Sequence, residues 1–104
     1  MLYKYRYKKN GGGISINHGH STRINAERIG VNLHVFQNVT IGSRGSRDLP
    51  LIGDNVTIGT GAVVLGNIRI GNNVKIGANA VVIEDVPDNC TVVPQKSRLI
   101  KRTN

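Results

Sequence analysis

The sequence has 104 residues, a formal net charge of +8 and a single cysteine, Cys90. This length allows one domain, and one cysteine excludes an internal disulfide and supplies no cysteine cluster for a metal ion. No apolar run is long enough to span a bilayer, and the first residues lack the apolar segment of a signal peptide. We therefore expect a soluble, cytoplasmic protein without membrane insertion.

Positive charge is concentrated at the two ends of the chain. Residues 1–10 hold four of the fourteen basic side chains, alternating with Tyr3, Tyr5 and Tyr7, and residues 96–104 hold four more. We predict a basic arm over 1–13, either a short strand or partly ordered, and a basic tail over 94–104. Such ends suit a phosphorylated cofactor, a nucleic acid or an acidic membrane surface. We do not expect a nucleic acid as partner, because no recognisable nucleic-acid module accompanies the basic ends.

Aliphatic residues recur every six positions through the second half of the chain. The first members of these hexads are Ile52, Ile58, Val64, Ile70, Ile76 and Val82. A second small or aliphatic residue follows each by four positions: Val56, Ala62, Ile68, Val74, Ala80 and Val86. Asparagine, which tolerates positive φ, often holds the place before the second residue: Asn32, Asn38, Asn55, Asn67, Asn73 and Asn79.

A period of six is not helical, since 3.6 residues per turn would scatter these positions around a cylinder. Pairs such as Val56 and Ile58 are two residues apart and face the same side of an extended strand. Strand and turn units this short cannot bury an apolar face alone, so they must coil and stack. The pattern therefore predicts an all-β solenoid.

These hexads resemble the [LIV]-G-x-x-[STAV]-x repeat of the left-handed parallel β-helix acyltransferases. The resemblance implies left-handed coiling and three hexads in each triangular coil, giving about four coils in a domain over 14–93. Residues 52–69 and 70–87 would form two of them, with Ile52 stacked on Ile70, Ile58 on Ile76 and Val64 on Val82. The family also implies a homotrimer.

Two departures from the six-residue period sharpen the resemblance. Asn17-His18-Gly19, followed by Gln37-Asn38-Val39-Thr40-Ile41-Gly42, is similar to runs in serine acetyltransferases and sugar O-acetyltransferases. The period then breaks between Ile41 and Ile52, leaving five extra residues in a polar loop insertion over 42–51. Loops on a repeat scaffold commonly carry function, and in the resembled family this one is the active-site loop.

The resemblance implies an acetyl-CoA-dependent O-acetyltransferase with His18 as general base, a role that suits the ordinary pKa of histidine. Asn17, His20, His34 and Gln37 are candidates for support, with His20 facing the same side of the strand as His18 and His34 facing outward. No metal is expected. Three histidines shared between subunits could alternatively form a zinc site, but their spacing differs from that of β-helical carbonic anhydrases.

Coenzyme A is assigned by matching family positions. The predicted binding residues are Gly42, Ser43, Gly61, Ala62, Ala78, Ala80, Lys96 and Arg98. Glycine and alanine let a ligand approach the backbone, although tight coil corners need the same residues. The basic side chains would pair with phosphate.

Several positions differ from serine acetyltransferases. Asn17 replaces an acidic residue that engages the amino-acid substrate, and Leu49 stands before Pro50 where the family has a second active-site histidine. The carboxylate that orients the catalytic histidine has no counterpart one coil earlier. We therefore expect either serine or a saccharide hydroxyl as acceptor. The alternative is a catalytically inactive or shortened β-helix scaffold that retains only trimerisation.

Overall fold

A computed structural model describes residues 3–10, 14–16, 21–45 and 48–103. Within these ranges the chain forms twelve short strands and no helix. The strands are β1 (Tyr3–Asn10), β2 (Ile14–Ile16), β3 (Thr22–Ile29), β4 (Leu33–Val35), β5 (Thr40–Gly42), β6 (Leu51–Ile52), β7 (Thr57–Ile58), β8 (Val63–Leu65), β9 (Arg69–Ile70), β10 (Lys75–Ile76), β11 (Val81–Val82) and β12 (Thr91–Val92). All strand pairings among them are parallel.

The strands cover three faces of a solenoid. One sheet has the order β12-β10-β7-β4-β2 and forms the face that we call face 2. The other has the order β11-β8-β5-β3-β6-β9 and wraps around two faces, because β3 pairs with β5 through Ile24 and with β6 through Ile29. Face 1 contains β6 and β9, and face 3 contains β5, β8 and β11. The five strands of face 2 delimit four turns of described chain, as predicted.

The core is a column of aliphatic side chains inside the three faces. Every inward residue predicted from Ile52 to Val86 is buried, and the column continues towards the N-terminus through Ile41, Val39, Val35, Leu33, Ile29, Ala26 and Ile24. The predicted stacks of Ile52 on Ile70, Ile58 on Ile76 and Val64 on Val82 are confirmed by the strand register. The alternation of buried and exposed residues thus follows directly from the six-residue period.

Asparagine turns most of the corners, as predicted. Asn32, Asn38, Asn55, Asn73 and Asn79 have φ between 57° and 64°. The prediction is wrong for Asn67, because Gly66 with φ of 102° makes that turn instead. Glycine adopts this conformation without the steric cost that a Cβ brings, so the turn is made one residue earlier.

Side chains join successive turns at the corner between faces 1 and 2. The Oδ1 atoms of Asp54 and Asn72 accept hydrogen bonds from the backbone N–H of Val31 at 2.9 Å and of Asp54 at 2.7 Å. A Cβ on Gly53 would collide with the Oδ1 of Asn72 and lie 2.8 Å from the carbonyl oxygen of Gly71. Glycine precedes the Asx residue at this corner because the next turn occupies the space of a side chain.

The last turn departs from the predicted register. Val86 bridges Ile70 in parallel, and the hydrogen bond from Asn72 N–H to Asp88 Oδ1 spans 16 residues, whereas the previous turn spans 18. Val86 therefore occupies the first place of a hexad, and assigning it to the second place was wrong. Two residues are missing between Val82 and Val86. Cys90 is partly buried and packs against the core, as expected for a small structural residue.

The N-terminal segment over 3–10 is a strand of the solenoid. β1 pairs with β3 from Tyr3 opposite Thr22 to Asn10 opposite Ile29. The division into an arm, a domain and a tail stays a prediction, although backbone pairing joins residues on the two sides of position 13. None of the described residues belongs to a helix with the length and apolar character needed to cross a membrane.

Candidate active site

The loop between β5 and β6 enlarges one turn of the solenoid. The hydrogen bond from Val31 to Asp54 spans 23 residues, while that from Asp54 to Asn72 spans 18. The five additional residues therefore lie where the sequence pattern breaks. Pro50 ends the loop in a buried position, and its carbonyl oxygen accepts a hydrogen bond from the N–H of Glu27 at 2.9 Å. The loop is thus anchored where it rejoins the solenoid.

The start of the loop lies against the corner beneath it. The N–H of Gly66 donates to the carbonyl oxygen of Gly42 at 2.9 Å. A Cβ on Gly66 would lie 3.2 Å from Cδ of Arg44, so the aliphatic part of Arg44 covers this glycine. Gly66 is accordingly buried, while Arg44 as a whole remains exposed. This contact joins the start of the loop, next to Gly42 and Ser43, to the corner at Gly66.

The predicted base lies outside the described residues, as do Asn17 and His20. The strand that leads to it is described: β2 ends at Ile16, which pairs with Val35 of β4. His18 therefore follows two residues after the end of a paired strand. β2 itself lies beside β4, which carries His34.

His34 occupies an outward position on face 2, as predicted. It lies between Ser15 and Thr57 in the strand register, and its ring stacks on that of Phe36 with centroids 5.0 Å apart and an interplanar angle of 14°. Its Nε2 is buried and has no hydrogen-bond partner, the one such side-chain atom among the residues described. Buried polar atoms are nearly always paired, so this nitrogen is an unused hydrogen-bonding group inside the protein.

Thr22 ties the beginning of β3 to the corner that follows β4. It is fully buried, and its Oγ1 donates to the carbonyl oxygen of Phe36 at 3.1 Å and accepts from the N–H of Val39 at 3.4 Å. These two bonds bracket Gln37, whose own carbonyl oxygen accepts from the N–H of Gly61 at 3.1 Å. Our sequence analysis missed Thr22, although a hydroxyl two residues before the inward Ile24 was a visible signal.

The predicted cofactor residues separate into core and surface positions. Ala62 and Ala80 are buried, and their carbonyl oxygens accept from the N–H groups of Thr40 and Val63. Core packing therefore explains why these two side chains are small. Ala78, by contrast, is exposed at the next corner. A cofactor proposal can rest on Ala78 but gains nothing from the size of the two buried alanines.

A cavity of about 680 Å³ lies between this corner and the start of the tail. Its lining residues are Asn79, Val81, Val93, Pro94 and Gln95. Lys96 and Arg98 follow directly and are exposed. The structure thus brings the corner at Ala78 together with the predicted basic residues, while Gly42 and Ser43 lie two turns earlier along face 3. Apolar walls beside cations suit an elongated ligand with an anionic end.

These features define a three-sided β-helix with one enlarged turn and a cavity near a basic tail. Residues 50–84 match the family described as bacterial transferase hexapeptide (six repeats). The chain thus carries the hexapeptide repeat of this family over 50–84, and its solenoid is the left-handed parallel β-helix found in serine acetyltransferase structures. The hand that the resemblance implied is therefore confirmed.

Individual relatives are acetyltransferases. The chain is 45% identical over 97 residues to serine acetyltransferase of Synechococcus elongatus and 40% identical over 89 residues to the putative colanic acid biosynthesis acetyltransferase WcaB of Escherichia coli K12. These alignments cover 89% and 83% of the chain. The soybean serine acetyltransferase apoenzyme superposes with a TM-score of 0.77 at 38% identity over 90% of the chain and 40% of the soybean chain. The chain spans only 40% of the cyanobacterial relative and 55% of WcaB.

Proposed function

We propose that the chain is an acetyl-CoA-dependent O-acetyltransferase that transfers the acetyl group to a hydroxyl of serine or of a saccharide. The observation that carries this proposal is the sequence match to acetyltransferases over more than four fifths of the chain. The structural support is the enlarged turn, which interrupts the solenoid where the resembled family has its active-site loop. We further propose that the active assembly is a homotrimer in the cytoplasm.

In the proposed reaction His18 is the general base. Its imidazole removes the proton from the acceptor hydroxyl while the hydroxyl oxygen attacks the thioester carbonyl carbon. The tetrahedral intermediate collapses with loss of the coenzyme A thiolate, which takes the proton back from the imidazolium. Backbone N–H groups of the loop at Ser43, Arg44 and Gly45 are the proposed donors to the oxyanion. No covalent acyl-enzyme is needed.

His34 and Gln37 are proposed to support this site from β4 and the corner after it. The unpaired Nε2 of His34 is buried, so we propose that it orients the segment that carries His18. Gln37 is held by its carbonyl bond to Gly61 and by the two bonds of Thr22 on either side. Asn17 and His20 remain proposed supporting residues.

Coenzyme A would run along face 3 from Gly42 and Ser43 towards the cavity at Val81. There the apolar walls suit the pantetheine arm, and Lys96 and Arg98 would meet the phosphates. Gly61 and Ala78 lie at the corner that borders this path. A saccharide acceptor suits the departures from serine acetyltransferases, because neutral Asn17 and apolar Leu49 stand where that enzyme has polar groups in its active site.

The test compares wild-type protein with His18→Ala. Loss of thioester absorbance from acetyl-CoA is followed with serine and with a panel of saccharides, a readout that the single partly buried Cys90 does not disturb. We expect turnover to fall by roughly 10²-fold to 10⁴-fold, the usual contribution of a general base, while coenzyme A affinity measured by calorimetry stays the same. Equal turnover in the two proteins would contradict the role of His18.

The same titration separates the enzyme from the scaffold alternative. Binding of coenzyme A in the micromolar range supports an acetyltransferase. Failure of wild-type protein to bind coenzyme A at millimolar concentration, together with an intact trimer, would instead establish a β-helix that only assembles.

A further inference from the structure

The tail after β12 exposes aliphatic side chains. Leu99 is fully exposed, Ile100 is 71% exposed, and no strand or helix forms over 93–103. Most of the large apolar side chains exposed in the described structure belong to the last turn or this tail: Val81, Ile83, Val93, Leu99 and Ile100. The remaining one, Val31, lies at a corner near the other end of the solenoid. Exposed apolar surface is therefore concentrated in one part of the molecule.

Basic residues flank the aliphatic pair. Lys96 and Arg98 precede Leu99 and Ile100, Lys101 and Arg102 follow them, and all four cations are exposed. No acidic residue occurs in the sequence after Asp88, and none of residues 94–104 is aromatic. The segment thus combines two aliphatic side chains with four positive charges and no compensating negative charge.

We propose that this tail binds the surface of an anionic lipid bilayer, with Leu99 and Ile100 entering the headgroup and acyl boundary and with Lys101 and Arg102 on lipid phosphates. Such binding goes beyond acetyl transfer and does not depend on it. Each cation close to an anionic leaflet raises the partition coefficient roughly fivefold. Removing the two aliphatic side chains from water adds to this, because Leu99 is fully exposed and Ile100 is mostly exposed in the free protein.

The composition of the tail disfavours the other anionic or apolar partners. Single-stranded nucleic acids are held by aromatic side chains on which bases stack, and this segment offers only aliphatic ones. Docking against the same tail of a second copy would bring eight positive charges together. A bilayer rich in anionic lipid supplies both the negative charge and the apolar medium that the segment lacks.

Co-sedimentation with vesicles tests the proposal on the full chain. Vesicles of phosphatidylcholine alone are compared with vesicles containing about one third phosphatidylglycerol. We expect binding only to the anionic vesicles and a loss of binding as salt is raised. Lys101→Gln with Arg102→Gln should weaken binding about 25-fold, and Leu99→Ser with Ile100→Ser by roughly tenfold or more. Lys96 and Arg98 are left unchanged because they are proposed to bind coenzyme A.

Two matched variants control for charge and apolar surface in general. Arg69→Gln with Lys75→Gln removes two exposed cations from the faces of the solenoid, and Val31→Ser removes an exposed aliphatic side chain far from the tail. Both should bind anionic vesicles like the wild type. If either control weakens binding as much as the matching tail variant, the proposal is wrong.

A fluorescence experiment reports where the aliphatic pair lies. The chain has no tryptophan, so Leu99→Trp introduces a single probe. Its emission should shift to shorter wavelength with anionic vesicles, whereas that of Val31→Trp should not. An unshifted emission at position 99 in vesicle-bound protein would overturn the proposal. The proposal would also be overturned if the protein bound heparin as well as it binds anionic vesicles and if Leu99→Ser with Ile100→Ser left vesicle binding unchanged. A simple polyanion site would explain both results.

Discussion

At the scale of single residues, Thr22 is the one polar side chain in the buried set of the described chain. Valine or isoleucine would fit the aliphatic pattern at this place, but the hydroxyl makes two hydrogen bonds, to the carbonyl oxygen of Phe36 and to the N–H of Val39. An aliphatic side chain at this position could form a hydrogen bond with neither backbone group. Thr22 therefore links the start of β3 to the corner that carries Gln37.

Replacing Thr22 by valine should destabilise the protein while leaving its packing volume almost unchanged. The Phe36 carbonyl and the Val39 N–H would lose their partner in the interior, which costs about 1–3 kcal/mol. Urea denaturation measures this loss. We also expect turnover to fall, because the corner at Gln37 then keeps only its hydrogen bond from Gly61.

Serine is the matched control at this position, because Thr22→Ser keeps the hydroxyl and removes a methyl group. It should retain more turnover than Thr22→Val even where both are destabilised. A valine variant as stable and as active as the wild type would show that the two hydrogen bonds have no such role.

At the scale of elements, the enlarged turn between β5 and β6 is proposed to be needed for activity but not for the fold. Pro50 already fills the second inward place of a hexad, and Leu51 pairs with Arg69 as in a regular turn. The residues between Ser43 and Leu49 are additional to the repeat. The solenoid therefore does not need them for its register.

Deleting residues 44–48 should leave a stable solenoid without acetyltransferase activity. The deletion places Ile52 six residues after Ile41 and restores the regular period, and a shorter loop costs slightly less entropy on closure. Thermal denaturation should give a midpoint at or above that of the wild type, and thioester consumption should be lost. A variant that keeps its full activity would show that the loop does not take part in the reaction.

The sequence predicts a repeat well because its period determines which side chains point inward, and the buried set follows it from Ile29 to Val86. The sequence does not determine the register or the turn residue wherever two alternatives fit the same residues. Val86 is aliphatic and suits either place in a hexad, so the two-residue shortening of the last turn cannot be seen in the pattern. Gly66 and Asn67 both tolerate positive φ, and only the backbone φ of 102° at Gly66 shows which of them makes the turn.

The candidate site could be predicted only in part from the sequence, because the sequence does not show which distant residues come into contact. The break in the six-residue period located the enlarged turn, the resemblance assigned it as the active-site loop, and the same period explains the burial of Ala62 and Ala80. The pairing of β1 with β3 was not predicted, because alternating aromatic and basic residues indicate a strand but not its partner. The bonds of Thr22 join residues that are far apart in sequence, and only the three-dimensional structure shows them.

At the scale of the whole molecule, the solenoid is narrow, with only three first-place side chains in each layer, such as Ile52, Ile58 and Val64. Its outer surface is therefore large relative to its core. Face 3 carries an outward row formed by Thr40, Val63 and Val81, which lie in register across three strands. Val81 is 66% exposed, so this row is the apolar surface that we expect a neighbouring subunit to cover.

Val81→Glu should separate the proposed trimer into monomers, because a carboxylate placed in a subunit interface loses its hydration without gaining a partner. Sedimentation velocity measures the change in mass, and Val31→Glu is the control, since it puts the same charge on an exposed aliphatic position away from face 3.

Coenzyme A affinity should fall in parallel by roughly tenfold, about 1.4 kcal/mol, if the cofactor lies between subunits. Val81 also lines the cavity beside the tail, so the two measurements must be compared at the same protein concentration. Weaker coenzyme A binding in a variant that remains trimeric would place the effect in the cavity itself, whereas a trimer with unchanged affinity would contradict both roles of face 3.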